Sequence, residues 1–254
     1  MPKTYLVPAI KRGFEIIEYL AESGSGLTIS DIHKALHLPL SSAATILYTL
    51  ESLGYVERND EDGSYSLGMK LFGISRGMDQ TALVVRCHAL LAQLVSESGL
   101  TGHLAVLRHA NALYVDRVAS SGLIQFSSYI GMTWPVHTCA VGKALLAFLD
   151  LDEVNKQLGS LEMKEFTAET IKSKLILEKQ FAKFRNLGYT WEMNEGEIGL
   201  GCVAAPVFGS RRGVVAAAGI TGTTSQISRS SIPNLGRMVK KYATLMSKRL
   251  GTDL

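Results

Sequence analysis

Three short apolar periodicities separated by tight breaks, followed at once by a hairpin signal, constrain the first 68 residues more than any other feature of this chain. Ile10, Phe14, Ile17 and Ala21 recur at helical spacing, so residues 7–22 read as an amphipathic helix that Gly24-Ser25-Gly26 ends. Thr28-Ile29-Ser30-Asp31 offers a hydroxyl and a carboxylate to the free amides of a second helix, with Ile29, Ile32 and Leu36 as its inner side and Leu38-Pro39 as its close. Residues 40–53 read as a third helix that buries Ile46, Leu50 and Leu53 and stops at Gly54. Residues 55–58 and 65–67 then read as two strands joined by Asn59-Asp60-Glu61-Asp62-Gly63, a turn rich in residues that tolerate positive φ.

Three helices and a hairpin in this order form a winged helix-turn-helix, in which the third helix enters the major groove of DNA. A three-helix protein-interaction module has the same pattern. Ser41, Ser42, Thr45, Tyr48 and Ser52 lie at helical spacing on the side of the third helix opposite Ile46 and Leu50, where hydroxyls can reach base edges. Ser41 and Ser42 equally suit a helix cap. The charge of this segment pulls the other way: up to residue 77, seven Lys and Arg face nine Asp and Glu. Affinity for DNA comes largely from neutralised phosphates, so each head is expected to bind modestly and to gain from oligomerisation.

Residues 68–80 read as a connecting segment, and the domain boundary is expected near residue 79, giving a head over 1–79 and a second domain over 80–254. The second domain opens on a helix carrying Leu83, Val84, Leu90, Leu91, Leu94 and Val95. Strands are expected at 103–107, 113–118, 123–129, 203–208 and 214–220, and helices at 140–148, 171–187 and 232–250. That mixture indicates a two-domain α/β chain whose C-terminal half is α+β with an antiparallel sheet.

Thr138-Cys139-Ala140-Val141-Gly142-Lys143-Ala144 opens an apolar helix and leaves backbone amides free near Cys139 to Val141, where a carboxylate could dock. A plain helix start has the same sequence. Glu192, Glu195 and Glu197 sit in a loop leading to Gly199-Leu200-Gly201-Cys202; solvated loop charge is the ordinary account of them, and a buried thiol that of Cys202.

Composition removes other classes. No run of eighteen uncharged apolar residues occurs and no basic-then-apolar leader begins the chain, so a cytoplasmic protein with no membrane association is expected. Cys87, Cys139 and Cys202 lack metal-binding or disulfide spacing, and neither a metal nor a cofactor is expected. His103, His109 and His137 with Cys139 or Cys202 could in principle serve an enzyme acting on a small acid, but no nucleophile elbow or dinucleotide fingerprint accompanies them.

Two sets of segments carry a family resemblance. Val7-Pro8-Ala9-Ile10-Lys11-Arg12-Gly13-Phe14-Glu15-Ile16-Ile17, Leu27-Thr28-Ile29-Ser30-Asp31-Ile32, Leu38-Pro39, Thr49-Leu50-Glu51-Ser52-Leu53-Gly54-Tyr55-Val56 and Tyr65-Ser66-Leu67-Gly68 resemble the DNA-binding domain of the IclR family of transcriptional regulators. Trp134-Pro135-Val136-His137, Gly142-Lys143-Ala144-Leu145-Leu146-Ala147, Gly188-Tyr189 and Cys202-Val203-Ala204-Ala205-Pro206-Val207 resemble its effector domain. The resemblance implies a GAF-like effector domain, a homodimer or homotetramer, a palindromic operator and a small organic acid as effector. Leu40 and Thr45 stand where the family carries basic residues, which leaves Arg12, Lys34, Arg58 and the hydroxyls of Ser41, Ser42, Thr45 and Tyr48 as the expected DNA contacts. The implied effector pocket is Leu123, Trp134, the amides of Ala140 and Val141, Glu192, Leu200, Cys202, Gly219 and Thr221. Trp134 in place of an aliphatic residue offers a flat wall, and Gly219 in place of a hydroxyl-bearing residue offers room, so the acid admitted extends to an aromatic one. A sensor whose base-poor head binds protein in place of DNA is the alternative.

Overall fold

The structure, a computed structural model, describes residues 6–75, 80–122 and 126–252. The chain divides into two compact units, Met1–Thr81 and Ala82–Leu254.

In the first unit, α1 (Pro8–Ser23) begins on a proline and ends at Gly24, whose φ of 63° suits glycine. A capping box starts α2 (Ile29–Ala35): Asp31 N–H donates to Thr28 Oγ1 at 3.3 Å, and Thr28 N–H donates to Asp31 Oδ2 at 3.0 Å. α3 (Leu40–Ser52) has Pro39 at its N-cap with no side-chain bond there, so Ser41 and Ser42 do not cap it. β1 (Val56–Arg58) and β2 (Tyr65–Leu67) pair antiparallel, and Leu27 adds a bridge to Tyr65. Asn59 and Asp62 side chains accept from Glu61 N and Ser64 N, and these bonds shape the turn of the wing. A helix, α4 (Lys70–Ser75), stands where the sequence indicated only a connection.

α2 turns Ile29, Ile32 and Leu36 inward as expected, whereas α1 and α3 are rotated from the expected faces. The core is Ile16, Leu20, Ile32, Leu38, Ala43, Leu47, Val56 and Tyr65. Ile10 and Phe14 are 59% and 61% exposed and Leu53 is exposed as well, while Ile46 and Leu50 are partly buried. Gly13 is buried facing Ile46, so the inner side of α1 runs through Gly13, Ile16 and Leu20. Ile10 and Phe14, displaced outward, form with Ile46, Leu50, Leu71 and Ile74 an open apolar groove of about 580 Å³.

The second unit is a six-stranded antiparallel sheet between helical layers. Its elements are α5 (Gln80–Ser98), β3 (Thr101–Arg108), β4 (Asn111–Val118), β5 (Thr133–Pro135), α6 (Ala140–Ala147), α7 (Leu151–Ser160), α8 (Lys174–Leu187), β6 (Thr190–Met193), β7 (Leu200–Phe208), β8 (Val214–Thr223) and α9 (Ile232–Arg249). The strand order is β5-β4-β3-β8-β7-β6. Alternation divides the sheet's faces: Leu104, Val106, Val115, Val203, Ala205, Val207, Ala218 and Ile220 face α5 and α9. Ala105, Ala112, Ala204 and Ala217 face α6, and these small side chains let the helix lie close to the strands.

Residues 126–129 are not the strand that the sequence suggested, and the rest of that stretch, 123–125, lies outside the described residues. The place beside β4 is taken by β5, with Ala112 opposite Trp134. Residues 126–128 are held by a side chain: Arg117 donates from Nη2 to Phe126 O and from Nε to Ser128 Oγ, both at 3.0 Å. The sequence also gave no sign of α7, β5 or β6; β6 has four residues and α7 has only Val154 and Leu158 fully inward.

Candidate functional site

On the face of the sheet that α6 covers, a cavity of about 210 Å³ opens among His103, Tyr114, Phe126, Trp134, Glu192, Leu200, Cys202 and Thr221. An inner recess of about 10 Å³ is bounded by His103, Tyr114, Cys139, Ala140, Val141, Cys202, Gly219 and Thr221. The expected pocket residues are therefore brought together, except Leu123, which lies outside the described residues. Gly219 does not give room to a ligand. A Cβ there would sit 2.8 Å from Val141 Cγ1 and 3.0 Å from Ala204 Cβ, so the glycine accommodates α6 itself.

The recess owes its character to the start of α6. Cys139 is the N-cap with an extended backbone and no side-chain cap bond, and the first helical bond runs from Lys143 N to Cys139 O at 3.0 Å. The amides of Ala140 and Val141 make no hydrogen bond among the described residues, although both residues are buried. Buried donors without partners at a helix N-terminus are an anion-accepting arrangement.

Glu192 faces that arrangement from β6, where it pairs in register with Cys202. It is 3% exposed, and burial pushes its carboxyl up to about 7, against which the bond from Glu195 N to Oε2 at 3.0 Å works only in part. A carboxyl with that proton affinity is a donor as well as an acceptor near neutral pH. Burial likewise raises Cys139 to about 12 and Cys202 well above the ordinary thiol range, so both remain S–H and neither is an activated nucleophile.

Of the three glutamates, Glu197 is exposed, but Glu192 and Glu195 are buried. Glu195 is 9% exposed and receives a two-pronged bond from Lys143 Nζ, at 2.6 and 2.7 Å, and Lys143 has no exposure at all. Gln180 Oε1 accepts a third bond from the ammonium at 3.2 Å, and Thr170 Oγ1 holds the Glu195 carbonyl at 2.6 Å. The pair ties α6, which carries the free amides, to the loop after β6, where Glu195 N–H also donates to Glu192. Lys143 showed in the sequence only as part of an apolar helix, and an isolated lysine there gives no sign of its partner fifty-two residues on.

His103, Tyr114, Phe126 and Ser128 also border the cavity and were not singled out as pocket residues. His103 stacks on Tyr114 with ring centroids 4.6 Å apart, and burial lowers its imidazole to about 3, so it is neutral. Period-two alternation along β3 and β4 was the available signal for both residues, since it places them on the same face as Ala105 and Ala112.

In the first unit, Ser41, Thr45, Tyr48, Lys34 and Arg58 are exposed and Ser42 and Arg12 are half-buried. Tyr48 is 71% exposed. Thr45 Oγ1 donates to Ser41 O at 2.9 Å, leaving its lone pairs and methyl outward. The outward side of α3 between Ser41 and Tyr48 thus presents hydroxyls and no charge.

Two family models cover the chain: the IclR helix-turn-helix domain over residues 9–60 and the bacterial transcriptional regulator IclR C-terminal domain over 76–248. The chain is 30% identical to the HTH-type transcriptional regulator XynR of Escherichia coli over 97% of its own length and 98% of that protein's. It is 31% identical to the transcriptional repressor IclR of the same organism, over 95% and 89%. The crystal structure of Thermotoga maritima IclR superimposes with a TM-score of 0.80 at 27% identity, covering 96% of this chain and 99% of that one. An IclR homologue from Microbacterium hydrocarbonoxydans, complexed with 4-hydroxybenzoate, shares the fold with a TM-score of 0.78 at 22% identity, over 95% and 98%.

Proposed function

This chain belongs to the IclR family of DNA-binding transcriptional regulators with an effector-binding C-terminal domain, and from that premise we propose that its effector is a small aromatic carboxylic acid. The observation that carries the reading is the pairing of unpartnered amides at Ala140 and Val141 with a Glu192 carboxyl that burial keeps protonated up to about pH 7. A carboxylate would accept from both amides and from Glu192, and a ring would lie against Trp134, which itself tilts onto Phe166 at 6.0 Å. Leu200, Cys202 and Thr221 close the sides, and Val141 packed on Gly219 closes the floor. The same fold accommodates a hydroxybenzoate in the Microbacterium homologue, which supports an acid of that size.

The head reads a palindromic operator through Ser41, Ser42, Thr45 and Tyr48, with Arg12, Lys34 and Arg58 on phosphates, and a DNA-bound regulator works in the cytoplasm. Among the described residues no helix is long and apolar enough to cross a membrane. The open groove along α1 and α3, with Ile10 and Phe14 at its rim, supports a homodimer or a pair of dimers, since two heads of modest charge bind a palindrome far more tightly than one. The named relatives include repressors, and repression relieved by the acid is the reading adopted.

The test is fluorescence anisotropy of the purified protein on duplex DNA flanking its own gene, against a scrambled duplex, with a panel of acids, sugars and amines added. Specific binding that shifts only with aromatic acids is expected, with reciprocal tightening of the acid by the DNA-free form. A shift, or thermal stabilisation, by sugars or amines alone ends the carboxylic-acid reading.

A further inference from the structure

The donor set of the recess has one member left over. Tyr114 is 6% exposed on β4, and its hydroxyl has no hydrogen-bond partner among the described residues. The other hydroxyls nearby are engaged: Ser128 Oγ lies 2.8 Å from His103 Nε2, and Thr221 Oγ1 lies 3.3 Å from Cys202 Sγ and 3.4 Å from His103 Nδ1. Among the described residues the fully buried side-chain polar atom left without a partner is His137 Nδ1, so the unbonded Tyr114 hydroxyl opens onto the cavity it lines, where it can donate to a group that enters. The recess it borders is the one bounded by Ala140 and Val141, whose amides are also unengaged.

We propose that Tyr114 is an effector-binding residue that donates its phenolic hydrogen to the effector carboxylate, completing with the Ala140 and Val141 amides a site that holds the carboxylate entirely through uncharged donors. This rests on the carboxylic-acid reading above and names a residue of that same site. His103 is the support behind it: the stacked ring fixes the tilt of the phenol, and the imidazole is itself fixed at both nitrogens. Burial, with Cys139, Cys202 and Glu192 close by, pushes the Tyr114 hydroxyl far above the ordinary phenol range, so it is a donor at every working pH. Lys143, the nearby buried cation, is bound to Glu195 and is not available to the ligand.

The experiment is calorimetric titration of the full chain and of its Tyr114→Phe variant with benzoate and with benzamide. Phenylalanine removes one oxygen that has no protein partner, so the ligand-free melting temperature is expected to stay level or rise. Benzoate should bind at least about tenfold more weakly to the variant, because a donor to a charged acceptor is lost. Benzamide should lose under about threefold, so that discrimination between the two shrinks. Equal benzoate affinity in both proteins overturns the assignment of Tyr114 while leaving the carboxylic-acid reading intact. Failure of benzoate and other monocarboxylates to bind the unaltered protein overturns that reading, and the Tyr114 assignment with it. Should the phenylalanine variant not fold, 3-fluorotyrosine introduced at position 114 makes the hydroxyl a stronger donor; tighter benzoate binding supports the proposal and unchanged or weaker binding overturns it.

Discussion

The two units of this regulator treat polar groups in opposite ways. Among the described residues, the head buries only apolar side chains, whereas the effector domain buries Lys143, Glu192, Glu195, Asp116, His103 and His137. A buried ionisable group costs stability unless it is paired and hydrogen-bonded, so such a set is retained where it serves a site. The head has its chemistry on the outside, where contact with a large polyanion takes place. The effector domain has it inside, where a small molecule is desolvated. Substitutions of similar size should therefore act differently in the two units, and the contrast can be broken at several points.

The largest effect is expected at Lys143. Lys143→Met leaves the Glu195 carboxylate buried without its cation, which should lower stability by roughly 3–5 kcal/mol in urea titration. Adding Glu195→Gln removes the stranded charge and should return a large part of that loss. If the single variant is as stable as the parent, the pair is not a structural tie and the account of the loop fails. A smaller loss, about 3 kcal/mol, is expected for Leu47→Ala in the head, where the cost is lost packing plus a cavity and no charge is involved. Both tryptophans, Trp134 and Trp191, lie in the effector domain. Their fluorescence should follow the Lys143 variant and be nearly blind to Leu47→Ala, which circular dichroism should detect. A shared transition by both probes would show that the units unfold as one.

The third effect concerns protons. Benzoate is ionised throughout the range from pH 6 to pH 9, with a carboxyl pKa of about 4. Below the Glu192 value of about 7 the donor proton is already in place, so affinity should be level. Above it, the protein must take up a proton to bind, and the dissociation constant should rise about tenfold per pH unit. Glu192→Gln, which keeps a donor that does not titrate, should abolish the slope. A slope that survives that change would assign the proton to another group.

How much of this was legible from the sequence follows the same contrast. The helix order, the wing and most strands were readable because each rests on local periodicity and on breaks such as Gly24, Gly54 and Leu38-Pro39. The faces of α1 and α3 were misread because periodicity was anchored on the large apolar residues, whereas Gly13 and Ala43 are buried and Ile10, Phe14 and Leu53 are exposed. The pocket's outline came from family resemblance. Its chemistry did not: the burial of Lys143 and Glu195 depends on a pairing across the fold, and Tyr114 is set apart only by what fails to bond to it. Gly219 shows the converse, since the absence of a side chain signalled space and the structure fills that space with Val141.

The smallest expected effect lies on the head's surface and tests whether its polar groups act as the comparison requires. Each phosphate contact contributes about one unit to the slope of log affinity against log salt. Arg58, exposed at the end of β1, is the proposed phosphate contact, so Arg58→Ala should weaken specific and scrambled duplexes alike by a few-fold and reduce the slope by about one per head. Thr45→Val keeps the methyl and removes the outward lone pairs; it should leave the slope unchanged and narrow the gap between the two duplexes. The opposite assignment, with Thr45 altering the slope or Arg58 altering only discrimination, would mean that α3 is not the element reading the bases. Indifference to both would return the head to protein recognition, and the outward placement of its polar groups would then serve a different kind of partner.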